Sequence, residues 1–185
     1  MTTEQQMTVS MTINGRAIGP VSIPMSLNMI EFLHEHLNLT GSRLGCGLGV
    51  CQACTIIVDN PDGTSAESIT CVVPAIAFNG KSIRTIEGHG KVDATGKVID
   101  ISDVQRVFLE DFSFQCGYCT PGFVNAATVL IEGLKKKPIS FADHPRNRPI
   151  EIELLQLQVL EAAQQGRSHL LGCVAVVPEF GGDPQ

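Results

Sequence analysis

A loop rich in cysteine and glycine, Gly41 to Cys54 (GSRLGCGLGVCQAC), constrains this chain more than any other stretch. Four residues separate Cys46 from Cys51, two separate Cys51 from Cys54, and sixteen lie between Cys54 and Cys71. This C-x4-C-x2-C pattern with a distant fourth cysteine is the spacing of plant-type [2Fe–2S] sites. Glycine allows the positive φ angles that a tight loop needs, and successive amide N–H groups can then point at sulfur. The sequence therefore predicts an iron–sulfur cluster held by four thiolates.

Three other interpretations of this loop compete with the cluster. Disulfides are disfavoured because the N-terminal residues show neither the basic nor the apolar segment of a secretory signal. Structural zinc sites usually combine two C-x2-C units, and the four-residue gap before Cys51 fits that pattern poorly. A dinucleotide-binding loop would need glycine where Gln52 stands, and a helix where a β-branched stretch follows. The iron–sulfur cluster is favoured, and zinc and disulfide remain as alternatives.

The bulk composition suits a globular protein of one or two domains. The chain has 185 residues and a formal net charge of −6 at pH 7, with no basic stripe of the kind that binds nucleic acid. Its apolar runs are far too short to span a bilayer. The cysteine count of seven is odd, so disulfides cannot account for every cysteine. In the absence of a recognisable signal segment, the chain is expected in the cytoplasm.

The first half alternates between strand and turn signals. Asn14-Gly15 predicts a hairpin turn, and Ser26 is a candidate N-cap for an amphipathic helix. His34 and His36 lie two positions apart in that helix, so they cannot form an i, i+4 metal pair. The predicted strands are Thr8–Asn14, Gly19–Ile23, Thr55–Val58 and Ser82–Ile86. This order of hairpin, helix, cysteine loop and returning strands predicts a β-grasp ferredoxin-like domain over residues 1–88.

The second half changes to helical periodicity. Residues 89–100 are predicted as a linker, because their first part is rich in glycine, lysine and aspartate. Helices are expected at Ile101–Phe114, from Pro121 to about Leu134, and at about Glu151–Gln165. Cys116 and Cys119 lie between the first two of these helices, and Cys173 lies in the tail. The chain is therefore predicted to be α+β, with an all-α second domain over residues 101–185.

The two cysteine loops in this order resemble the iron–sulfur subunit of molybdenum hydroxylases, the family of xanthine oxidase, aldehyde oxidoreductase and carbon monoxide dehydrogenase small subunits. The resemblance rests on GCGLGVCQAC at Gly45–Cys54, Cys71, IRTIEG at Ile83–Gly88 and QCGYCTPGF at Gln115–Phe123. It runs from about Thr8 to Leu134, and its QCGYCTPG element is specific. It implies a β-grasp domain with one [2Fe–2S] cluster and a helical domain with a second cluster.

The resemblance also implies a role and partners. The chain would relay single electrons from a molybdopterin cofactor in a large subunit, through the Cys116/Cys119 cluster and then the first cluster. The acceptor would be a flavin or cytochrome c subunit, or an external carrier. The large subunit would oxidise an aldehyde or an N-heterocycle, and no residue of this chain would act on that substrate. Gln115 would either contact molybdopterin or cap a helix end, and the complex would stay in the cytoplasm or reach the periplasm with a signal-bearing partner.

The tail departs from the family pattern at the second cluster. Members usually supply its last two thiolates from a C-x-C pair, whereas Leu171 stands at the first position when Cys173 is matched to the second. The cysteine ligands of this cluster would then be Cys116, Cys119 and Cys173. The fourth ligand would be a nitrogen of His169 or an oxygen of Ser168, unless a three-iron cluster uses three thiolates. An inert, buried Cys173 without a second cluster is the remaining alternative.

Other functional classes also remain open. A free-standing ferredoxin would need only the first loop, and the second cysteine loop disfavours it. A zinc-stabilised interaction module would have no redox role. Cys116 and Cys119 alone would suit a redox C-x-x-C pair, but the βαβ context of such a pair is missing from the sequence.

Overall fold

The structure is a computed structural model that describes residues 5–93 and 98–138. Its first strands are β1 (Gln6–Ile13), β2 (Arg16–Pro24), β3 (Thr55–Asp59), β4 (Ser65–Ile69) and β5 (Ser82–Arg84). They form a five-stranded sheet in the order β2-β1-β5-β3-β4. Strands β1 and β5 are parallel, whereas β1–β2, β3–β4 and β3–β5 are antiparallel. With its few helices, this mixed sheet is consistent with a [2Fe–2S] ferredoxin-like domain.

The first hairpin forms at the predicted turn. Asn14 and Gly15 have φ values of +50° and +77°, which suits the tight connection between β1 and β2. The register of the two strands shifts between Val9 and Met11. Gly19 lies opposite this shift with a φ of +96°, and a Cβ there would overlap the Val9 carbonyl oxygen. This bulge interrupts the alternation of side chains between the two faces of β2. The sequence pattern therefore did not include Arg16–Ile18, and β2 begins earlier than predicted.

The helix after β2 begins later than predicted. Its first turn is α1 (Met29–Glu31), and it continues as a π-helical segment, Phe32–His36. The N-cap is Asn28, so the prediction of Ser26 as the cap is wrong. The physical reason is that the chain is still extended at Asn28, which forms an isolated bridge with Pro74.

The hydrophobic core lies between this helix and one face of the sheet. Alternate residues of a strand share a face, so Val9, Met11 and Ile13 of β1 are buried together with Ile56 and Val58 of β3. The remaining buried members are Ile23, Met29, Phe32, Leu33, Ala75, Phe78 and Ile83. Each large side chain contributes about 1.5–3 kcal/mol when it is fully buried. Because a register slip would expose these residues, the core fixes the position of β3 and of the cysteine loop that precedes it.

The segment between β3 and β5 contains one strand that the sequence pattern did not predict. Strand β4 reads SAESI, which is short and polar, and it lies at the edge of the sheet. Two 3-10 helices follow it, Ala75–Phe78 and Ile86–Gly88. The second of these begins where the predicted strand Ser82–Ile86 was to continue, so β5 is shorter than predicted.

The second half begins with a small hairpin inside the stretch that was expected as a linker. Strands β6 (Lys91–Val92) and β7 (Val98–Asp100) pair there in antiparallel orientation. Helix α2 (Asp103–Glu110) then starts at Ser102, whose hydroxyl accepts the Gln105 N–H at 3.2 Å. It is shorter than the predicted Ile101–Phe114, and Phe112 just beyond it has a left-handed φ of +49°.

The last described element is α3 (Thr120–Lys136), which packs against α2 and also against β3 and β4. This helix is therefore anchored on the five-stranded sheet. None of the helices within residues 5–93 and 98–138 is long and apolar enough to cross a membrane. The predicted third helix, Glu151–Gln165, lies outside the described residues, and the all-α second domain stays a prediction.

Candidate metal centre

Strands β3 and β4 bring two of the four predicted ligands of the first loop together. Cys54 directly precedes β3 and Cys71 comes just after β4, and the register pairs Thr55 with Ile69. The Thr70 hydroxyl donates to the Cys54 carbonyl oxygen at 2.8 Å. Both cysteines are buried, with exposed fractions of 1% for Cys54 and 6% for Cys71. One hairpin thus explains why cysteines far apart in the sequence share a site.

The sulfur of Cys46 lies inside a turn of backbone amides. The N–H groups of Leu48, Val50 and Cys51 donate to its Sγ at 3.3, 3.4 and 3.4 Å. These donors, with that of Cys51 the strongest, lower the pKa of Cys46 from 9.0 to about 6. Cys46 is therefore mostly a thiolate at neutral pH, which is the form that binds a metal.

Glycine is required at particular points of this turn. Gly47 and Gly49 have φ values of +65° and +72°, which glycine adopts at little cost. A Cβ on Gly45 would stand 2.8 Å from the sulfur of Cys51, so a side chain there would displace that thiol. Gly45 thus leaves space for the sulfur of Cys51, and Gly47 and Gly49 turn the backbone amides towards the sulfur of Cys46.

The thiols of the first site shift one another's pKa. The Cys51 side chain lowers the pKa of Cys46, and Cys54 and Cys46 raise the pKa of Cys71. Burial raises the pKa of Cys71, partly offset by a hydrogen bond from the Gly49 N–H. In the described ranges, no three His, Cys, Asp or Glu side chains converge as the ligands of one metal ion would. Four cysteine thiols are the ligand set of a [2Fe–2S] cluster.

The six cysteines of the described ranges are all free, and they differ in exposure. Cys51 is exposed and Cys46 is half-buried, whereas Cys54 and Cys71 are buried. The first loop therefore has one edge in contact with solvent and another enclosed by the sheet. The disulfide alternative receives no support from this arrangement.

The second cysteine loop forms the start of α3. Cys119 is the N-cap, Pro121 occupies the first turn as predicted, and Gly117 has a φ of +78°. Cys116 and Cys119 are exposed, and so is Gln115. Outside the described residues lie the other candidate ligands, Cys173, His169 and Ser168. The composition of a second cluster site therefore stays a prediction.

The two cysteine loops are in contact, which the sequence analysis did not anticipate. The Tyr118 hydroxyl donates to the Leu44 carbonyl oxygen at 2.7 Å. The first turn of α3 also packs against the backbone of the first loop, and a Cβ on Gly122 would overlap the Gln52 carbonyl oxygen. Gly122, which directly follows Pro121 at the start of the helix, is the sequence signal for this close approach.

A buried polar contact continues the same interface. Asn125 is fully buried, and its Nδ2 donates to the Thr55 carbonyl oxygen at 2.6 Å. Its Oδ1 lies 2.7 Å from Nε2 of His89, which donates in the neutral tautomer with its proton on Nε2. Burial lowers the pKa of His89 and favours that neutral form. The sequence analysis missed both side chains, although a lone asparagine in an apolar helix signalled a buried partner.

Arg84 on β5 joins the sheet to α3 through two carboxylates. Its Nη2 lies 2.8 Å from both Asp59 of β3 and Glu132 of α3, and it donates to the Ser65 hydroxyl at 3.1 Å. The hydrogen bond from Arg84 lowers the pKa of Glu132, and the Ser65 hydroxyl adds to that shift. This network holds α3 on the sheet at the end away from the cysteine loops.

The histidines of the first helix take structural roles. Nε2 of His34 lies 2.7 Å from the Ser42 carbonyl oxygen, and His36 is exposed with its ring 5.3 Å from that of Phe32. Neither belongs to the group of thiols in the first loop.

Comparisons with known proteins bear on both loops. Residues 85–153 match the model of a family described as a [2Fe-2S] binding domain. Over 127 residues the chain is 35% identical to a subunit of nicotinate dehydrogenase from Pseudomonas putida, and the match covers 69% of this chain and 73% of that protein. Over 143 residues it is 34% identical to the xanthine dehydrogenase iron-sulfur-binding subunit of Escherichia coli O157:H7, covering 77% and 82% respectively.

Among solved structures, quinoline 2-oxidoreductase from Pseudomonas putida 86 has a chain with the same fold. The TM-score is 0.61 at 28% identity, and the match covers 88% of this chain and 98% of that chain. The relatives also include much longer proteins, of whose length the chain spans about 10%. The similarity therefore extends over nearly the whole of some relatives and over one part of others.

Proposed function

The chain belongs to the family of iron–sulfur subunits of molybdenum hydroxylases, and we propose that its cysteines hold two iron–sulfur clusters. Its function is electron transfer within a molybdopterin-dependent dehydrogenase. The observation that supports the first site is the Cys46 sulfur, which accepts three backbone hydrogen bonds, together with the buried Cys54 and Cys71. When bound, the clusters supply one-electron reduction and oxidation.

In the proposed first site Cys46, Cys51, Cys54 and Cys71 would hold the cluster. Cys46 and Cys51 would hold it at the exposed edge of the loop, and Cys54 and Cys71 would hold it at the side enclosed by the sheet. The three N–H groups directed at Cys46 stabilise negative charge on that sulfur. The backbone therefore favours the reduced state at the exposed edge of the loop, where an acceptor has access.

We propose a second site in a helical domain over residues 101–185, joined by residues 89–100 to the first domain, residues 1–88. Its cysteine ligands are Cys116, Cys119 and Cys173. The fourth position is taken by His169, by Ser168, or by no protein ligand in a three-iron cluster. Imidazole in place of thiolate raises the potential of a [2Fe–2S] centre, so a histidine ligand would make this site more easily reduced.

The large molybdopterin subunit is proposed to dock on the second loop, Gln115 to Phe123. Several large apolar side chains around this loop are exposed, including Phe112, Tyr118 and Phe123. An interface that excludes water would bury these apolar side chains and would bring Gln115 within reach of molybdopterin. The exposed edge of the first loop, with Leu48 and Val50 each 76% exposed, is then left for a flavin or cytochrome c subunit, or for an external carrier.

The names of the relatives support a proposal for the substrate class. Nicotinate, xanthine and quinoline are all N-heterocycles, and other relatives act as aldehyde oxidoreductases. We propose that the large subunit of this complex oxidises an N-heterocycle or an aldehyde. Cell fractionation would distinguish a cytoplasmic complex from one carried to the periplasm by a signal-bearing partner.

The direct test is to purify the full chain under mild conditions with the subunits that accompany it. We expect a larger molybdenum-containing chain to copurify, and dithionite to produce two cluster signals in electron paramagnetic resonance. A colourless, zinc-loaded chain would instead establish an interaction module, because zinc thiolates do not absorb visible light. An iron-loaded monomer that never copurifies with a molybdenum protein would establish a free ferredoxin.

A further inference from the structure

The two cysteine loops meet at a junction of three contacts. On one side lie the backbone carbonyls of the first loop and β3, and on the other lie side chains and backbone at the start of α3. The loop junction consists of Leu44, Gln52, Thr55, Tyr118, Gly122 and Asn125. Its contacts fall just before Cys46, between Cys51 and Cys54, and directly after Cys54. The contacts of the loop junction therefore flank Cys46, Cys51 and Cys54, three of the four predicted ligands of the first cluster.

Two of these contacts fix the position of α3. The buried Asn125 side chain reaches the Thr55 carbonyl at 2.6 Å, and Gly122 lets the helix approach the backbone at Gln52 and Ala53. A buried amide that lost its partner would cost about 1–3 kcal/mol, so the helix is not free to slide. The start of α3 is therefore held against the first loop, whereas the loop before α3 depends on the third contact.

The third contact is made by Tyr118, which lies between Cys116 and Cys119. Its hydroxyl donates to the Leu44 carbonyl at 2.7 Å, and its ring edge lies 4.0 Å from the Cβ position of Gly45. The Arg43 guanidinium stands 5.9 Å from the ring centroid, a distance at which a cation and an aromatic ring attract. A phenol at this position therefore links the two thiol loops by a single hydrogen bond, with Gly45 alone between Leu44 and Cys46.

We propose that Tyr118 is a positioning residue for electron transfer in this subunit. Its hydroxyl holds the second cysteine loop at a fixed separation from Cys46. Among the described contacts, this hydrogen bond gives the path with the fewest bonds between the cysteines of the two loops. This inference rests on the proposed function, since it matters only when both loops carry clusters. Neither the spacing of the cysteines in the sequence nor the identity of the ligands determines the separation of the two clusters. The inference assigns that role to Tyr118.

The first test measures the contact without any cluster signal. The variant Tyr118→Phe removes only the hydroxyl, and Ser65→Ala is the matched control because it removes a hydrogen bond between the sheet and α3 far from the loops. The Arg43 amide, which donates to the Ala53 carbonyl at 3.2 Å, reports the state of the first loop by hydrogen exchange. We expect this amide to exchange about fivefold faster in Tyr118→Phe, the equivalent of one neutral hydrogen bond, and at the wild-type rate in Ser65→Ala. Equal exchange in all three proteins would overturn the contact.

The second test measures the electronic consequence in the full chain purified with its subunits. In the fully reduced wild-type protein, the spin–spin splitting between the two cluster signals reports their separation and the connection between them. We expect Tyr118→Phe to weaken this splitting and to slow electron transfer between the clusters, while iron content and both reduction potentials stay unchanged. Ser65→Ala should match the wild type in every measurement.

The outcomes separate the inference from the function on which it rests. A wild-type protein with one cluster signal would remove the proposed second site and with it the electronic role of Tyr118, whatever the exchange result. Two signals with unchanged splitting and rate in Tyr118→Phe would overturn the inference and leave the proposed function intact. Loss of splitting in Tyr118→Phe but not in Ser65→Ala supports it, because general destabilisation of α3 would affect both variants.

Discussion

At the scale of single residues, Cys46 and the glycines around it determine the chemistry of the first loop. Three N–H groups converge on one sulfur only because Gly47 and Gly49 adopt positive φ angles. The absence of a side chain at Gly45 leaves room for the thiol of Cys51. The loop therefore lowers the pKa of Cys46 mainly with backbone N–H groups, and the Cys51 side chain adds to the shift.

Substitution of one ligand tests the first site. Cys51→Ser replaces a soft thiolate by a hard oxygen donor, so one of the two cluster signals in electron paramagnetic resonance should be lost or strongly shifted. Leu48→Ala is the control, because this side chain lies in the same loop and is 76% exposed. An unchanged spectrum with unchanged iron content in Cys51→Ser would contradict the ligand assignment.

Two glycines in α3 provide a matched pair for the loop junction. Gly122→Ala adds a methyl group that must displace the backbone at Gln52, so we expect it to lower the free energy of unfolding by about 1–3 kcal/mol. Gly133→Ala lies in the same helix with open space at its Cβ position, and it should raise the free energy by about 0.5–1 kcal/mol. Urea unfolding followed by circular dichroism measures both. If the two variants shift stability in the same direction, the close approach at Gly122 is incorrect.

At the scale of elements, α3 connects the two halves of the described chain. One end contacts the first loop through Gly122 and Asn125, and the other binds β3 and β5 through Glu132 and Arg84. Hydrogen-bonded contacts at both ends prevent the helix from rotating or sliding on the sheet. A helix fixed in this way can present the second cysteine loop in a constant orientation.

Lowering the pH should reduce the free energy of unfolding through His89, which contacts Asn125 of α3. Its pKa is lowered by burial, so between that value and the ordinary 6.5 the unfolded chain takes up a proton that the folded chain does not. The free energy of unfolding should therefore fall as the pH drops below about 6.5. His89→Gln should flatten this slope between pH 6.5 and 5, a range above the titration of the carboxylates, whereas the exposed His36→Gln should keep it. Chemical denaturation at stepped pH measures the slope, and an unaltered slope in His89→Gln would exclude this histidine as its source.

The Arg84 network should contribute measurable stability at the opposite end of α3. Arg84→Ala leaves Asp59 and Glu132 without their shared cation, and their side chains are 31% and 33% exposed. Because water still reaches both carboxylates, we expect a loss of about 1–2 kcal/mol. Arg106→Ala removes a more exposed ion pair with Asp100 and should cost under about 1 kcal/mol. Thermal or urea unfolding compares them, and equal losses would show that the Arg84 network is no stronger than a surface pair.

At the scale of the whole molecule, local patterns predicted the parts but not their assembly. The C-x4-C-x2-C spacing, the Asn14-Gly15 turn and the helix start at Pro121 are local signals. The structure has the turn at Asn14-Gly15 and places Pro121 in the first turn of α3, as predicted. Strand β4 escaped notice because an edge strand needs no apolar alternation. The local sequence predicts Ser26 as the cap, because the pairing of Asn28 with Pro74 across the fold has no local signature.

Local signals at Gly122 and Asn125 indicate a close or buried contact, but the partners of these residues lie beyond any local pattern. Tyr118 and Leu44 are 74 positions apart, and Asn125 and Thr55 are 70 positions apart. Hydrogen bonds to backbone carbonyls also leave no signature in the accepting residue, since every residue has a carbonyl. Such contacts become visible only when the sheet places β3 against α3.

The most direct test of the central claim, that this chain carries two iron–sulfur clusters for electron transfer, is Mössbauer spectroscopy combined with iron counting on the purified full chain. Two clusters of the [2Fe–2S] type would give about four irons per chain in two distinguishable environments, both reduced by dithionite. A three-iron second cluster would raise the count to about five and keep two environments. About two irons in one environment would contradict the second cluster, and a colourless chain without iron would contradict the account entirely.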